Sequence, residues 1–335
     1  MARISFPYSV KFSDLCEFSE SLRKLPQEER LRISTGHVSH FTPTSMIFLA
    51  KACRHRRRLK SGEGQTFIGL SNHNYANNLG FSEALSLRDN PYPQGAYGGK
   101  NYIPISGMRR DELESEVCQS GSAIGDIIEN RCVEIAKVVS QRRSEALQRI
   151  LTVSFREIFR NVFEHSQSKS AVYCAQYWPS RKQVELCVGD RGIGFSASLM
   201  EDDRFSGLSD RSSLLFSLMP GVSSKAKAYS KRSRSQRSEW DNSGYGLFFA
   251  HKLFGEFGTF SMASGRHGIT IRKGKLIESL PAFVEGSVVS MRLDLSDIDA
   301  IEAHIDQIRS EAHTVKARYG VNGLRLSSVE AFFRR

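Results

Sequence analysis

Apolar and polar positions along the first 88 residues fall into short blocks, each with its own period. Residues 4–10 alternate as a strand does, and 13–25 repeat apolar positions at helical spacing. A strand at 31–34, a helix at 45–58, a strand at 66–70 and a helix at 75–87 follow. That order predicts an α/β layer with a parallel or mixed sheet. Residues 89–110 lose the periodicity, and their Pro, Gly and Asn clusters mark a linker. The pattern then turns helical over 111–140 and 144–166, and strand-like at 171–178 and 183–188. A long polar segment at 196–243 precedes a helix at 244–257 and strands at 258–263, 268–272 and 287–295. The expected organisation is a small α/β domain over 1–88, a linker over 89–110, a second domain over 111–296 with a lead-in helix, and a C-terminal helix and tail over 297–335.

Composition adds exclusions. The chain has 335 residues, 40% hydrophobic and 25% charged, which suits a protein that buries real cores and excludes disorder as its main state. No run of about 18 apolar residues exists, so no membrane span is expected. The first residues lack the apolar stretch of a secretory signal. Six cysteines are spread without a Cys-x-x-Cys pair, the usage of a reducing cytoplasm rather than of a zinc site. Lys and Arg number 47 against 36 Asp and Glu, a net charge of +11 that fits either nucleic-acid binding or phosphate handling. The basic run from Arg54 to Lys60 ends a helix, where cations complement the dipole. A solvated helix end is its simpler reading; a nucleic-acid contact is the other.

Three short motifs stand in order. Glu157, Asn161 and His165 are spaced i, i+4, i+8, so a helix lines them along one face while Ile158, Phe159 and Val162 turn to the core. A carboxylate and an amide so placed can hold a metal ion and a water. Gly189-Asp190-Arg191-Gly192-Ile193-Gly194 follows a strand, and its glycines allow close approach of a ligand beside the aspartate. Gly244-Tyr245-Gly246-Leu247 opens a helix, whose N-terminal amides form a ready anion site.

In this order the three motifs resemble the N, G1 and G2 boxes of the GHKL ATPase superfamily, over about residues 145–295. The resemblance implies a Bergerat fold, an α/β sandwich with a mixed sheet, helices on one face, and ATP held between them and a lid. It implies Asn161 as the Mg²⁺ ligand, Glu157 as general base and His165 as a basic residue approaching the phosphates. Asp190 would accept the adenine amine, with Gly192 and Gly194 shaping the purine floor. Gly244, Tyr245, Gly246 and Leu247 would bring a helix N-terminus to the phosphates, Tyr245 covering the pocket. Ser287 stands where the family usually has a threonine near adenine.

The expected lid contains six cations and no acid between Lys225 and Arg237. It could fold over a triphosphate or bind nucleic acid by releasing counterions. The first 88 residues weakly resemble a STAS domain, in which Thr44 or Ser45 would sit near the phosphorylated loop; helix capping is the plainer duty of both. Between Asp111 and Phe163 there is no histidine to accept phosphate, which speaks against a sensor histidine kinase. Two functions are expected to compete. One is a Mg²⁺-dependent ATPase or anti-sigma-type serine/threonine kinase acting on a regulatory protein. The other is an ATP-gated switch or homodimer clamp with little turnover.

Overall fold

Two sheets share one pair of helices. The computed structural model describes residues 1–27, 29–59, 64–85, 100–222, 245–323 and 325–334. Strands β1 (Ala2–Ser5), β2 (Leu31–Ser34) and β3 (Gln65–Ile68) form a parallel sheet in that order. The crossovers are α1 (Phe12–Lys24) and α2 (Pro43–Leu59), as parallel pairing requires. The expected last helix of this region is two short ones, α3 (Asn74–Asn78) and α4 (Phe81–Leu85).

The second sheet has five strands in the order β4 (Tyr102–Arg109), β5 (Ser170–Trp178), β6 (Gln183–Asp190), β8 (Lys275–Asp294) and β7 (Gly258–Arg272). Every pair is antiparallel, which corrects the expectation of a mixed sheet. The chain is thus mixed α/β. Residues 102–109, read from sequence as linker, form its edge strand because Ile105 and Met108 find buried places in the core.

Helices cover both faces of this sheet. On one lie α5 (Arg110–Ser120), α6 (Ile124–Ser140), α7 (Glu145–Arg160), α8 (Gly194–Met200), α9 (Asp210–Ser217) and α10 (Gly246–Glu256). Their core joins Phe155, Phe159 and Phe254 to Leu186 and Met291. The C-terminal helices α11 (Ile298–Gly323) and α12 (Leu326–Arg334) bury Ile301, Ile308 and Phe333 in the same core. On the other face, α1 and α2 fill the space between the sheets, and Phe48 and Leu15 share a core with Cys187 and Val288. Strands β6 and β8 are therefore buried on both sides, which explains their near-continuous apolar runs.

Helix α2 is anchored at both ends. Thr42 and Ser45 exchange backbone-to-hydroxyl bonds of 2.7 and 3.3 Å ahead of Pro43, a reciprocal N-cap. The Thr44 amide donates to buried Glu185 at 2.9 Å, and its hydroxyl meets that of Ser290 at 2.5 Å. Both hydroxyls are buried and engaged, so capping and docking, not phosphate acceptance, are what they do in this state. At the other end Arg56 is buried, donating to the Leu22 and Leu25 carbonyls at 3.0 Å each, and Arg58 pairs with Glu285. Arg56 and Arg58 of the basic run thus tie α2 to the C-terminal end of α1 and to β8, which a plain solvated helix end would not do. No described helix is long and apolar enough to cross a membrane.

Candidate functional site

Ser144 starts α7 by accepting the Leu147 amide at 3.2 Å. Leu147, Leu151, Phe155 and Ile158 then face the core and leave Glu157 at the edge of the buried stripe. At Asn161 the helix widens into a single π-turn, Asn161–His165, of the kind that often marks functional sites. Despite the change of pitch, Glu157, Asn161 and His165 line one cavity.

The second and third motifs reach the same cavity through strand register. Asp190 ends β6 and stands directly across from Ser287 on β8. The Ser287 hydroxyl donates to one Asp190 carboxylate oxygen, and the Gly192 amide donates to the other at 2.6 Å. Asp190 is only 2% exposed, so its carboxylate is fixed as an acceptor at the cavity wall. The start of α8 is held too: the Phe195 amide donates to Ser264 at 3.1 Å, and Ser264 donates to the Gly286 carbonyl at 2.6 Å.

Helix α10 brings its N-terminus to the cavity. Its first described intrahelical bond runs from the Phe249 amide to the Tyr245 carbonyl, 2.8 Å. The amides of residues 246–248 lie in the open first turn, where a negative charge is stabilised. Gly246 leaves room for the Glu157 side chain: a Cβ there would come within 2.2 Å of Glu157 Oε2. The carboxylate thus lies against the helix end.

Burial pushes the Glu157 carboxyl pKa up, while Arg160 and Arg156 oppose the shift. Arg156 stands 3.4 Å and Arg160 3.8 Å from its Oε1. A carboxyl raised in this way is a better proton acceptor near neutral pH. Among the described residues no group of three or more His, Cys, Asp or Glu side chains could hold a metal. Asn161 nevertheless suits Mg²⁺, which takes oxygen ligands and completes its octahedron with water and substrate phosphates.

Of the residues expected from sequence, Glu157, Asn161, His165, Asp190, Gly194, Gly246, Leu247 and Ser287 line the cavity together. Gly192 does not shape a floor. It packs on Ser166, whose carbonyl a Cβ would meet at 2.0 Å, and the Ile193 amide donates to that carbonyl at 2.8 Å. Tyr245 does not cover the cavity; its ring faces α11, 5.9 Å from His313 and 5.1 Å from the Lys316 ammonium. Gly244 and the basic segment 225–237 lie outside the described residues.

Arg160 and Glu164 also line the cavity and were not singled out from sequence. Their bond of 2.8 Å continues the Glu157 row, and the i+3 and i+7 spacing from Glu157 was the available signal. Ser198, Ser217 and Val222 also line the wall, and nothing in the sequence marks them. Compared with family models, with curated proteins and with solved structures, the chain matches none.

Proposed function

We propose that this cavity binds ATP with Mg²⁺ in the manner of the GHKL superfamily, and that the chain is an ATPase or a serine/threonine protein kinase of regulation. The observation that carries the reading is the meeting of three separate motifs on one wall. Glu157 and Asn161 come from α7, Asp190 and Ser287 from paired strands, and Gly246 and Leu247 from a helix start.

In this reading the Asp190 carboxylate accepts from the adenine amine, its remaining lone pairs left open by the Ser287 and Gly192 donors. The phosphates lie toward the first turn of α10. Mg²⁺, when bound through Asn161, offsets charge on the phosphate oxygens. Glu157 takes the proton of a water or a protein hydroxyl as its oxygen bonds to the γ-phosphorus, and the bond to the β–γ bridging oxygen breaks, releasing ADP. A regulatory protein is the partner this chemistry calls for.

A second reading, an ATP-gated switch, is favoured by one observation. Lys51 of α2 donates to the Asp190 carbonyl and, at 3.0 Å, to the Glu285 carbonyl, so the N-terminal unit touches the backbone of the adenine-reading residue. Incubation with γ-labelled ATP, with and without lysate, measures phosphate release and protein labelling. Turnover lost in Glu157→Gln supports the enzyme. A Glu157→Gln chain that keeps full cellular function supports the switch, and absence of ATP binding refutes both.

A further inference from the structure

A second cavity lies on the opposite side of the β6 end. It is a cleft of about 900 Å³ between α2, the turn after β6, the β4–β5 edge and the start of α5. That volume is in the range of small-molecule sites. Eight lysine and arginine side chains line it against five carboxylates. Of those carboxylates, Asp111 and Glu112 face Arg109, Glu285 faces Arg58 and His55, Glu114 is exposed to solvent, and Asp190 turns its carboxylate to the other cavity. Positive charge is left over.

The excess is concentrated at three places. Lys169 precedes β5 and Arg191 follows β6; both are exposed, and neither has an ion-pair partner among the described residues. Lys51 forms the floor. It is half-buried, and its hydrogen bonds are to carbonyl oxygens, not to a carboxylate. Burial lowers its pKa to about 8, against the pull of Asp190 and Glu285. A half-buried ammonium with neutral hydrogen-bond partners and a pair of exposed cations above it is an arrangement that an anion stabilises. The remaining wall is apolar, with Ile47, Phe48 and Phe283. A concave, half-apolar cleft suits a compact ligand, whereas a nucleic-acid backbone needs an extended basic face.

We propose that this cleft binds a phosphate-bearing small molecule of nucleotide size, its phosphates toward Lys51, Lys169 and Arg191 and its apolar part toward Phe48 and Phe283. The proposal does not depend on what the first cavity binds.

The test is calorimetric titration of inorganic pyrophosphate, without added metal, into the full-length protein and its variants. Pyrophosphate should bind, and Lys169→Glu with Arg191→Glu should weaken binding at least tenfold. Glu157→Gln, on the other cavity, should leave it within about twofold. Both reversed residues are exposed, so the melting temperature should hold; if it falls, Lys169→Ala and Arg191→Ala singly should each weaken binding by a smaller factor. A naphthyl phosphate should bind more tightly than inorganic phosphate. No binding at millimolar pyrophosphate, or equal weakening by Glu157→Gln, overturns the site. A naphthyl group without benefit overturns the apolar half. A single-stranded oligonucleotide that binds more tightly than pyrophosphate, with the same loss on charge reversal, assigns the cleft to nucleic acid instead.

Discussion

Replacing Arg292 by Met tests how the N-terminal unit is held to the five-stranded sheet. Glu185 has no exposed surface and sits on the sheet face that α2 covers. Arg292 donates to its Oε2 from two nitrogens, at 3.0 and 2.7 Å, and the Thr44 amide donates to Oε1 at 2.9 Å. Burial alone would push the Glu185 pKa up, but Arg292 and Thr44 outweigh it and hold the value below the ordinary 4.5. In the native chain this group therefore contributes stability above about pH 4.5, which is lost as pH falls. Arg292→Met keeps the stem and removes the charge, leaving a buried carboxylate with one amide donor. Breaking a fully buried pair costs about 3–5 kcal/mol, and the Arg292 side chain, 37% exposed, lowers that figure through solvent screening. Protonation sets a ceiling on the charge part: from pKa 4.5 to pH 7 it costs about 3.4 kcal/mol, and at pH 5 about 0.7 kcal/mol. With that discount the variant should lose about 2–3 kcal/mol at pH 7 and about 1 kcal/mol at pH 5, because its Glu185 pKa is now raised and protonation relieves it. Urea denaturation followed by circular dichroism at both pH values reads the difference. Adding Glu185→Gln to the variant should recover most of the pH 7 loss. A loss below about 1 kcal/mol at pH 7, or the same loss at both pH values, refutes the reasoning.

Three further outcomes follow if the first cavity binds ATP and Mg²⁺ as proposed. Asp190→Asn should weaken ATP binding by about 1–3 kcal/mol, since a fixed acceptor opposite the amine is altered; GTP should bind poorly to the native chain, and equal ATP and GTP affinities by calorimetry would count against the adenine role. Asn161→Ala should abolish the Mg²⁺ dependence of ATP binding with an unchanged circular dichroism spectrum, and an intact Mg²⁺ dependence would remove Asn161 as ligand. Gly246→Ala places a methyl where Glu157 Oε2 now lies, so the carboxylate must move. Steady-state kinetics should show kcat at least tenfold lower with nucleotide affinity within about threefold, and an unaltered kcat would dissociate Glu157 from the chemistry.

Local pattern and spacing were enough for much of this. The β-α-β-α-β order of the first 68 residues, the strands at 170–190 and the helical row Glu157, Asn161, His165 follow from periods of 2 and 3.6, which the chain carries locally. Strand β4 was hidden because its Pro and Gly residues read as turn, and only pairing with β5 gives its apolar residues a buried place. The roles of Gly192 and Tyr245 were also invisible. One is set by the Ser166 carbonyl and the other by α11, contacts between segments that sequence order keeps apart. The same holds for the basic run at the end of α2, whose charge alone suggested solvent or nucleic acid. Its partners are carbonyls of α1 and a carboxylate of β8, more than 200 residues away.

By itself, then, the sequence determined which residues could do chemistry and which elements carry them, because side-chain type and periodicity are local properties. Tertiary structure decided which of those residues meet. Antiparallel register places Ser287 against Asp190, the missing Cβ of Gly246 admits Glu157 to a helix end, and α2 docks on the sheet to form the second cleft. Those are decided by packing distances between remote segments, which no local pattern encodes.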